Sequence, residues 1–375
     1  MTLSTSRRIP STCKSRIAYN LRKMSCSSIS SSGRLITAFN GFVLALGLLI
    51  PGITTYAQIT EGTTPAKDVD SVYVRTFMRP NDIRLFYGGQ GNRMVVGSLV
   101  DGKPDLPKNL FHNTNDYIGI GLTYKWLDGD LYFSLPGTTY LKGERSNLDQ
   151  FRLSASHTRR KMAYRVYLCD SKGVILSGDE DEYQSDPAIH EFMLGVQATY
   201  VFNESKYSYR AALFQSERQM ATAGSFLLRA ELFYRNLGET ETSWVPQQFD
   251  HPSRFEDQQG LRYLKAPGLL VMPGYGINII PHNSCMFISP VLLAGIGAAF
   301  NTYKSNSGIN THANMEVRSS FLLNAGYNGS MFYSRVQCAY TVNYSPVRPT
   351  YISTTDLSVS LLIGYRFQNL KSYFQ

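Results

Sequence analysis

A cluster of polar and charged residues lies where an otherwise regular strand pattern breaks. Its members are Arg210, Gln215, Glu217, Gln219, Ser225, Arg229 and Glu231, to which we add the more distant Arg335. Guanidinium and amide groups donate hydrogen bonds to phosphate and carboxylate oxygens, so one hypothesis is a site for an acidic ligand. The alternative is a structural network that pins an in-folded turn to the surrounding wall of strands. The sequence favours this structural alternative.

The same basic bias runs along the polar faces of the predicted strands. These faces carry Lys125, Arg152, Arg165, Arg229, Arg235, Arg318, Arg335 and Arg366, and the acidic Glu231. An enclosed lumen with this lining would prefer anions. A water-filled or plugged lumen also tolerates a polar lining, and the acidic residues Asp179 to Glu182 could fold inward and neutralise it. The sequence leaves both interpretations open.

The sequence gives little support for a catalytic site or a cofactor site. The histidines are expected in turns or loops, and none pairs locally with a serine and an acid: His112, His157, His190, His251, His282 and His312. Neither their spacing nor that of Cys169, Cys285 and Cys338 matches a zinc site. We therefore predict a protein that is not an enzyme, with no catalytic residue, no metal site and no cofactor.

The segments that carry these residues alternate with a period of two. In the stretch Asp356 to Phe367 the apolar positions are Leu357, Val359, Leu361, Ile363, Tyr365 and Phe367. Such alternation predicts a strand with one apolar and one polar face. Many earlier segments repeat it, and the apolar faces of the central strands carry no charge. A soluble antiparallel sheet also alternates, but a basic side chain facing lipid at the midplane costs roughly 2–4 kcal/mol, so charge-free faces favour a membrane.

We therefore predict an all-β fold, a single antiparallel transmembrane β-barrel of about 12 strands (range about 10–14) over residues 81–375. Hairpin or turn signals occur at Gly88–Asn92, Asp128-Gly129 and Asn328-Gly329. Glycine accepts the positive φ that tight hairpin turns require. The alternation also predicts a strand from Tyr207 to Leu213.

The predicted topology contains one conflict. Counting strands back from a periplasmic C-terminus places the Asn328-Gly329 turn in the periplasm and the unpatterned stretch 237–267 outside the cell. The same count places the long loop 170–189 inside and the short turn 203–205 outside. Outer-membrane barrels have the opposite preference, with long external loops. Either a strand is miscounted around 205–225, or the segment Gln215–Ala223 folds into the lumen.

The first 57 residues are predicted to be a cleaved secretory signal. They hold seven basic and no acidic residues, an apolar run from Phe42 to Ile50, and small residues at Thr55 and Ala57. That run is too short for a spanning helix, which needs about 20 residues. The true start could be Met24. Residues 58–80 are predicted to be a loose periplasmic lead-in.

The net charge of the chain and its predicted location limit the partners that we expect. The formal charge is +9, but the chain without its leader has 30 basic and 28 acidic residues, so no nucleic-acid partner is predicted. We expect export through the periplasm to the outer membrane, with outer-membrane lipid and the barrel-assembly machinery as partners and the oligomeric state open. The predicted role is small-solute or anion passage through an Arg-rich lumen. The alternatives are a plugged structural or assembly-partner barrel and, less favoured, an outer-membrane lipid hydrolase or acyltransferase.

Two stretches resemble a known family. Tyr200 to Ala212, followed by Gln219 and by Ala223-Gly224-Ser225-Phe226-Leu227, is similar to the core signature of domain of unknown function 4421, and Gly119 to Trp126 resembles its upstream strand. The family's usual serine before Ala223 is replaced by Thr222, which keeps the hydroxyl. The resemblance spans about residues 70–367. It implies a Gram-negative outer-membrane barrel and no catalytic residues.

Overall fold

The computed structural model describes residues 63–66, 69–100, 103–104, 109–138, 149–177, 183–238, 243, 260–281, 284–347 and 350–368. In chain order its strands are β1 (Thr63–Pro65), β2 (Val74–Phe77), β3 (Asn81–Val100), β4 (Lys103–Pro104), β5 (Asn109–Tyr124), β6 (Leu127–Ser134), β7 (Asp149–Thr158), β8 (Met162–Ser177), β9 (Tyr183–Val201), β10 (Glu217–Gln219), β11 (Ala223–Gly238), β12 (Tyr263–Asn278), β13 (Met286–Ser305), β14 (Gly308–Asn328), β15 (Phe332–Val347) and β16 (Thr350–Phe367). One short helix, Tyr209–Leu213, interrupts them.

Twelve of these described strands close into one antiparallel barrel. They are all the strands except β1, β2, β4 and β10. The barrel closes because β16 pairs with β3 along its whole length, from Thr350 opposite Ser98 to Phe367 opposite Asn81. The closure confirms the predicted fold class, a transmembrane barrel of 12 strands. We call the end where β3 begins the proximal end and the opposite end the distal end.

The wall of the barrel is apolar outside and polar inside. Outward side chains such as Leu85, Phe226 and Ile296 are 61–69% exposed, whereas the inward Arg84 and Glu231 are buried. A water-soluble protein would bury the apolar set, so this distribution fits contact with acyl chains. Near the proximal end the outer face carries paired aromatic rings, typical of an interfacial girdle: Tyr200–Phe202, Phe226–Tyr275 and Phe332–Tyr365. No helix among the described residues is long and apolar enough to cross a bilayer.

Two predicted turns lie inside strands. Gly88–Asn92 lies within β3, because β16 and β5 hold this stretch extended from both sides. A Cβ on Gly88 would lie 2.8 Å from the hydroxyl of Tyr117, so glycine here makes room for an inward ring. Asp128-Gly129 belongs to β6; the chain turns instead at Lys125-Trp126, where Lys125 has a φ of 58°. The Asn328-Gly329 turn is confirmed, since β14 ends at Asn328 and β15 begins at Phe332.

The segment between β9 and β11 resolves the topological conflict. Tyr207 to Leu213, predicted as a strand, does not join the wall, and β9 pairs directly with β11. The connection between β8 and β9 therefore lies at the distal end. The predicted loop 170–189 is also shorter than expected, because β8 runs to Ser177 and β9 begins at Tyr183. Asp179 to Glu182 lie outside the described residues, as does the predicted signal, residues 1–57.

The lead-in, predicted to be loose, contains two strands. β2 pairs with β1 on one side and with β10 on the other, giving a three-stranded sheet. The two strands of the lead-in therefore form one sheet with β10, which belongs to the segment between β9 and β11.

The barrel narrows toward its distal end. β6 and β7 are short, and beyond them β5 pairs directly with β8, at Leu110–His112 opposite Ile175–Ser177. Ten of the described strands therefore enclose the lumen at that level, against twelve nearer the proximal end. Fewer strands give a smaller diameter, which side chains fill more easily.

Arginine substitutions at two outward isoleucines test whether the outer face of the barrel wall contacts lipid. Ile296 lies midway along β13, whereas Ile309 lies beside the distal β13–β14 turn; they are 62% and 64% exposed. We expect Ile296→Arg to destabilise the folded barrel in vesicles by about 2–4 kcal/mol and Ile309→Arg by about 0–1 kcal/mol, since the penalty depends on depth. Urea unfolding in lipid vesicles measures both. Equal effects would contradict a bilayer centred on Ile296.

Candidate functional site

Residues 202–222, which we call the inserted segment, close the proximal end of the lumen. Ser208 is the N-cap of the short helix, and its hydroxyl accepts a hydrogen bond from the amide of Ala211 at 3.0 Å. Tyr207, Tyr209 and Ala212 are buried in an apolar cluster with residues of the inward face of the wall. The alternation that predicts a strand here thus reflects packing of a compact segment inside the barrel.

Inward side chains of five wall strands bond to this segment. Three amides donate to its carbonyls: Asn278 to Ser208 at 2.9 Å, Asn324 to Ala212 at 3.0 Å and Asn328 to Glu217 at 2.9 Å. Three guanidinium groups also donate to the inserted segment. Arg229 donates to the hydroxyl of Tyr209 at 3.1 Å, whereas Arg335 donates to the carbonyl of Leu213 and Arg366 to the carbonyl of Gln215 at 2.5 Å. These bonds satisfy backbone groups that are buried away from water.

Gln215 is the residue on which this network converges. It is fully buried and has a φ of 52°, a left-handed conformation that is uncommon for a residue other than glycine. Its amide nitrogen donates to the carbonyl of Ala211 at 3.3 Å, and its amide oxygen accepts from Arg335 at 2.9 Å. The surrounding contacts therefore hold a backbone conformation that is unfavourable by itself.

Arg366 joins the inserted segment to the lead-in. Its guanidinium carbon lies 3.8 Å from the ring centroid of Phe77 and 4.2 Å from that of Tyr333. The same group donates to Asn328 Oδ1 at 2.6 Å and to the carbonyl of Gln215. One buried cation thus connects β2, the inserted segment, β14, β15 and β16.

A cavity of about 80 Å³ lies inside the barrel against the inserted segment. Tyr209, Leu213 and Phe214 of that segment form one side. The charged groups of its lining are four arginines and one aspartate: Arg84, Arg165, Arg229, Arg335 and Asp130.

The four arginines differ in how they are neutralised. Arg84 is ion-paired with Asp82 at 3.0 Å, Asp128 at 2.6 Å and Asp130 at 2.7 Å. Arg229, Arg335 and Arg165 form no ion pair with a carboxylate of the described residues. The Nε of Arg335 is buried without a hydrogen-bond partner there. With four arginines and one aspartate, the lining of the cavity therefore has an excess of positive charge.

Glu231 lies in a separate ionic layer nearer the distal end. Its carboxylate accepts from Tyr167 Oη at 2.6 Å, from Gln197 Nε2 at 2.9 Å and from Arg318 Nη1 at 2.5 Å. Arg318 also lies 3.6 Å from Glu316. The layer thus places one arginine between two glutamates.

The distal end of the lumen is apolar. A buried cluster there comprises Met94, Val96, Ile189, Leu237, Leu261, Leu264, Tyr303, Val347 and Ile352. These side chains come from the inward faces of the strands at the narrow end of the barrel and from Leu261, next to β12. The described lumen is therefore closed by apolar side chains at one end and by the inserted segment at the other.

The structure divides the eight predicted site residues into groups. Gln215, Arg229 and Arg335 meet at the cavity and the adjoining network. Arg210, Glu217 and Gln219 belong to the inserted segment itself, where Arg210 pairs with Glu217 at 3.4 Å. Ser225 accepts a hydrogen bond from the amide of Asn203 at 2.9 Å, and Glu231 belongs to the ionic layer.

Sequence reasoning missed three cavity residues, Arg84, Asp130 and Arg165, as members of the site. Arg165 was recognised as inward-facing, and the parity of its strand was the signal available. Arg84 and Asp130 lie on different strands, and only the barrel brings them together.

The predicted location of the histidines in turns or loops is wrong for the four that the structure describes. His112, His157, His190 and His312 lie within β5, β7, β9 and β14. His190 pairs with Asp170 of the neighbouring strand β8. Both belong to the outward rows of their strands, which continue Leu194 and Val166, so they do not face the cavity.

Solved structures similar to this chain are barrels, with TM-scores below 0.4. The outer membrane protease OmpT of Escherichia coli is 8% identical, with a TM-score of 0.32 over 76% of this chain and 96% of its own. The β domain of the Bordetella autotransporter BrkA is 11% identical, with a TM-score of 0.38 over 76% and 98%. The NalP translocator domain of Neisseria meningitidis is 11% identical, with a TM-score of 0.37 over 91% and 100%.

Sequence comparison adds a family. A comparison with curated proteins found no match. The profile described as Domain of unknown function (DUF4421) matches residues 68–367, which includes every strand of the barrel wall.

Proposed function

This chain belongs to the DUF4421 family, and we propose that it is an integral outer-membrane protein whose plugged barrel has a structural or assembly-partner role. The observation that carries this proposal is the attachment of the inserted segment to five wall strands by hydrogen bonds from buried side chains. The apolar cluster at the distal end supports it. A general diffusion channel would instead need a continuous water-filled lumen.

The proposed location follows from the two ends of the barrel. Short turns such as Lys125-Trp126 and the Gly329–Met331 turn lie at the proximal end, as periplasmic turns do in outer-membrane barrels. The proximal end would therefore face the periplasm, through which the chain would be exported. Its proposed partners are outer-membrane lipid and the barrel-assembly machinery, and no enzymatic step is part of the proposal.

A gated anion passage is the second candidate function. The three cavity arginines without a carboxylate partner favour it, because positive groups along a pore select anions. Passage would require the inserted segment to leave the lumen. The closed state described above would then be the resting state.

Conductance in planar bilayers tests the plugged barrel. We expect the wild-type protein to be silent, and a variant in which a short glycine–serine turn replaces residues 203–222 and serine replaces Leu264 and Tyr303 of the distal apolar cluster to conduct, because both closures are then removed. Slower migration after boiling, measured on gels, must show that both proteins are closed barrels. Steady conductance by the wild-type protein would overturn the proposal.

A further inference from the structure

The cavity against the inserted segment combines a free volume with three arginines that form no ion pair with a carboxylate of the described residues. Its volume of about 80 Å³ exceeds the roughly 30 Å³ that one water molecule occupies in the liquid. The guanidinium groups of Arg165, Arg229 and Arg335 line it from three different strands, β8, β11 and β15. Residues far apart in the chain thus converge on one small space.

The hydrogen bonds of these arginines leave donors unused. Among the described residues, Arg229 donates hydrogen bonds to two neutral hydroxyls, Thr199 at 3.2 Å and Tyr209 at 3.1 Å. Arg335 is 6% exposed, donates through Nη1 to the inserted segment, and has a buried Nε with no partner among the described residues. A buried guanidinium without a counter-charge is unfavourable, and an anion that accepts its free N–H groups removes that penalty.

The cavity lining also contains an acidic residue. Asp130 is the cavity's negative lining residue, and it is already paired with Arg84. Asp82 and Asp128 bind the same guanidinium, so this cluster has more carboxylates than arginines. An anion in the cavity would therefore be attracted by Arg165, Arg229 and Arg335 and repelled by Asp130.

We infer that the cavity binds a small oxyanion of the phosphate class through Arg165, Arg229 and Arg335. Arginine suits this role because its planar fork matches the oxygens of such ions. The inference rests on the closed lumen proposed above, which keeps the ion away from bulk water. Since Arg335 also bonds to Leu213 and Gln215, a bound anion would stabilise the inserted segment in the lumen.

Phosphate binding to the whole protein, refolded in detergent with inorganic phosphate present, tests the site. Equilibrium dialysis with radiolabelled phosphate measures it against chloride at equal ionic strength. We expect one saturable site per chain, weakened about tenfold or more by Arg165→Gln, because the variant removes a charge-assisted hydrogen bond to the anion. Arg165 is suited to this variant because no described hydrogen bond ties it to the inserted segment.

Two further variants sharpen the result. Arg93→Gln removes an exposed arginine remote from the cavity and should leave binding unchanged. Asp130→Asn removes the negative lining charge and should tighten binding. Absence of saturable binding to the wild-type protein would overturn the inference. Equal losses of binding in Arg165→Gln and Arg93→Gln would also overturn it, because phosphate would then bind non-specifically to arginines of the surface.

The two experiments distinguish a failure of the proposed phosphate site from a failure of the proposed plugged barrel. A wild-type protein that is silent in bilayers and binds no phosphate retains the proposed function without this site. A wild-type protein that conducts, and whose phosphate binding depends on Arg165, lacks the plug but retains the site.

Discussion

Arg366→Met should loosen the inserted segment while the barrel remains closed. Methionine keeps much of the apolar stem but removes the cation between Phe77 and Tyr333 and the donors to Gln215, Asn328 and Gly329. We expect a loss of about 3 kcal/mol or more in the free energy that holds the segment in place, since each hydrogen bond from a charged donor contributes about 1.5–3 kcal/mol. Amide hydrogen exchange at residues 209–219 measures this loss, as faster exchange than in the wild-type protein.

Arg93→Met is the matched control, because Arg93 is exposed and lies toward the distal end of β3. It should leave exchange at residues 209–219 unchanged. If exchange in Arg366→Met equals that of the wild-type protein, the cation between the two rings does not hold the segment.

Glu231→Ala should destabilise the barrel by about 3–5 kcal/mol, because removal of one partner leaves Arg318 as a poorly compensated buried charge. The same substitution leaves Tyr167 and Gln197 without their shared acceptor. Urea unfolding measures the change, with the fluorescence of Trp126, an exposed side chain at the proximal end, as the reporter.

A surface ion pair provides the comparison. Glu204→Ala removes the partner of Lys161, which lies 3.2 Å away and is 59% exposed, and should change stability by about 0–1 kcal/mol. The double variant Glu231→Leu with Arg318→Met should recover only part of the loss, because it removes both members of the pair but leaves the buried Glu316 without its arginine. A small effect of Glu231→Ala, similar to that of Glu204→Ala, would mean that water reaches the ionic layer.

The candidate site was only partly accessible to sequence analysis. Arg229 and Arg335 were recognised from their place on inward rows, and Gln215 from the break in the strand pattern. Their meeting was not predictable in the same way, because Gln215 and Arg335 are 120 residues apart and Gln215 and Arg366 are 151 apart. The pairing of Asp130 with Arg84 in the cavity lining likewise depends on strands β3 and β6 being near each other.

The turns show the same division. Asn328-Gly329 was placed correctly because the pairing of β14 with β15 is local. Gly88–Asn92 has turn composition yet stays extended, since β5 and β16 pair with it on both sides. Tyr207 to Leu213 alternates like a strand but finds a better environment among buried apolar side chains inside the barrel.

The barrel, the approximate number of strands and the lipid-facing side of each strand can be inferred from local sequence patterns. These follow from period-two alternation, in which each residue's environment depends on its immediate neighbours and on the solvent it faces. Three features arise only in the folded chain: residues 202–222 enter the lumen, the lead-in pairs with them, and three arginines without an ion-paired carboxylate line one cavity. They depend on contacts between different elements, such as that of Tyr209 with Arg229, 20 positions apart, and that of Gln215 with Arg366, 151 positions apart, which no local pattern encodes.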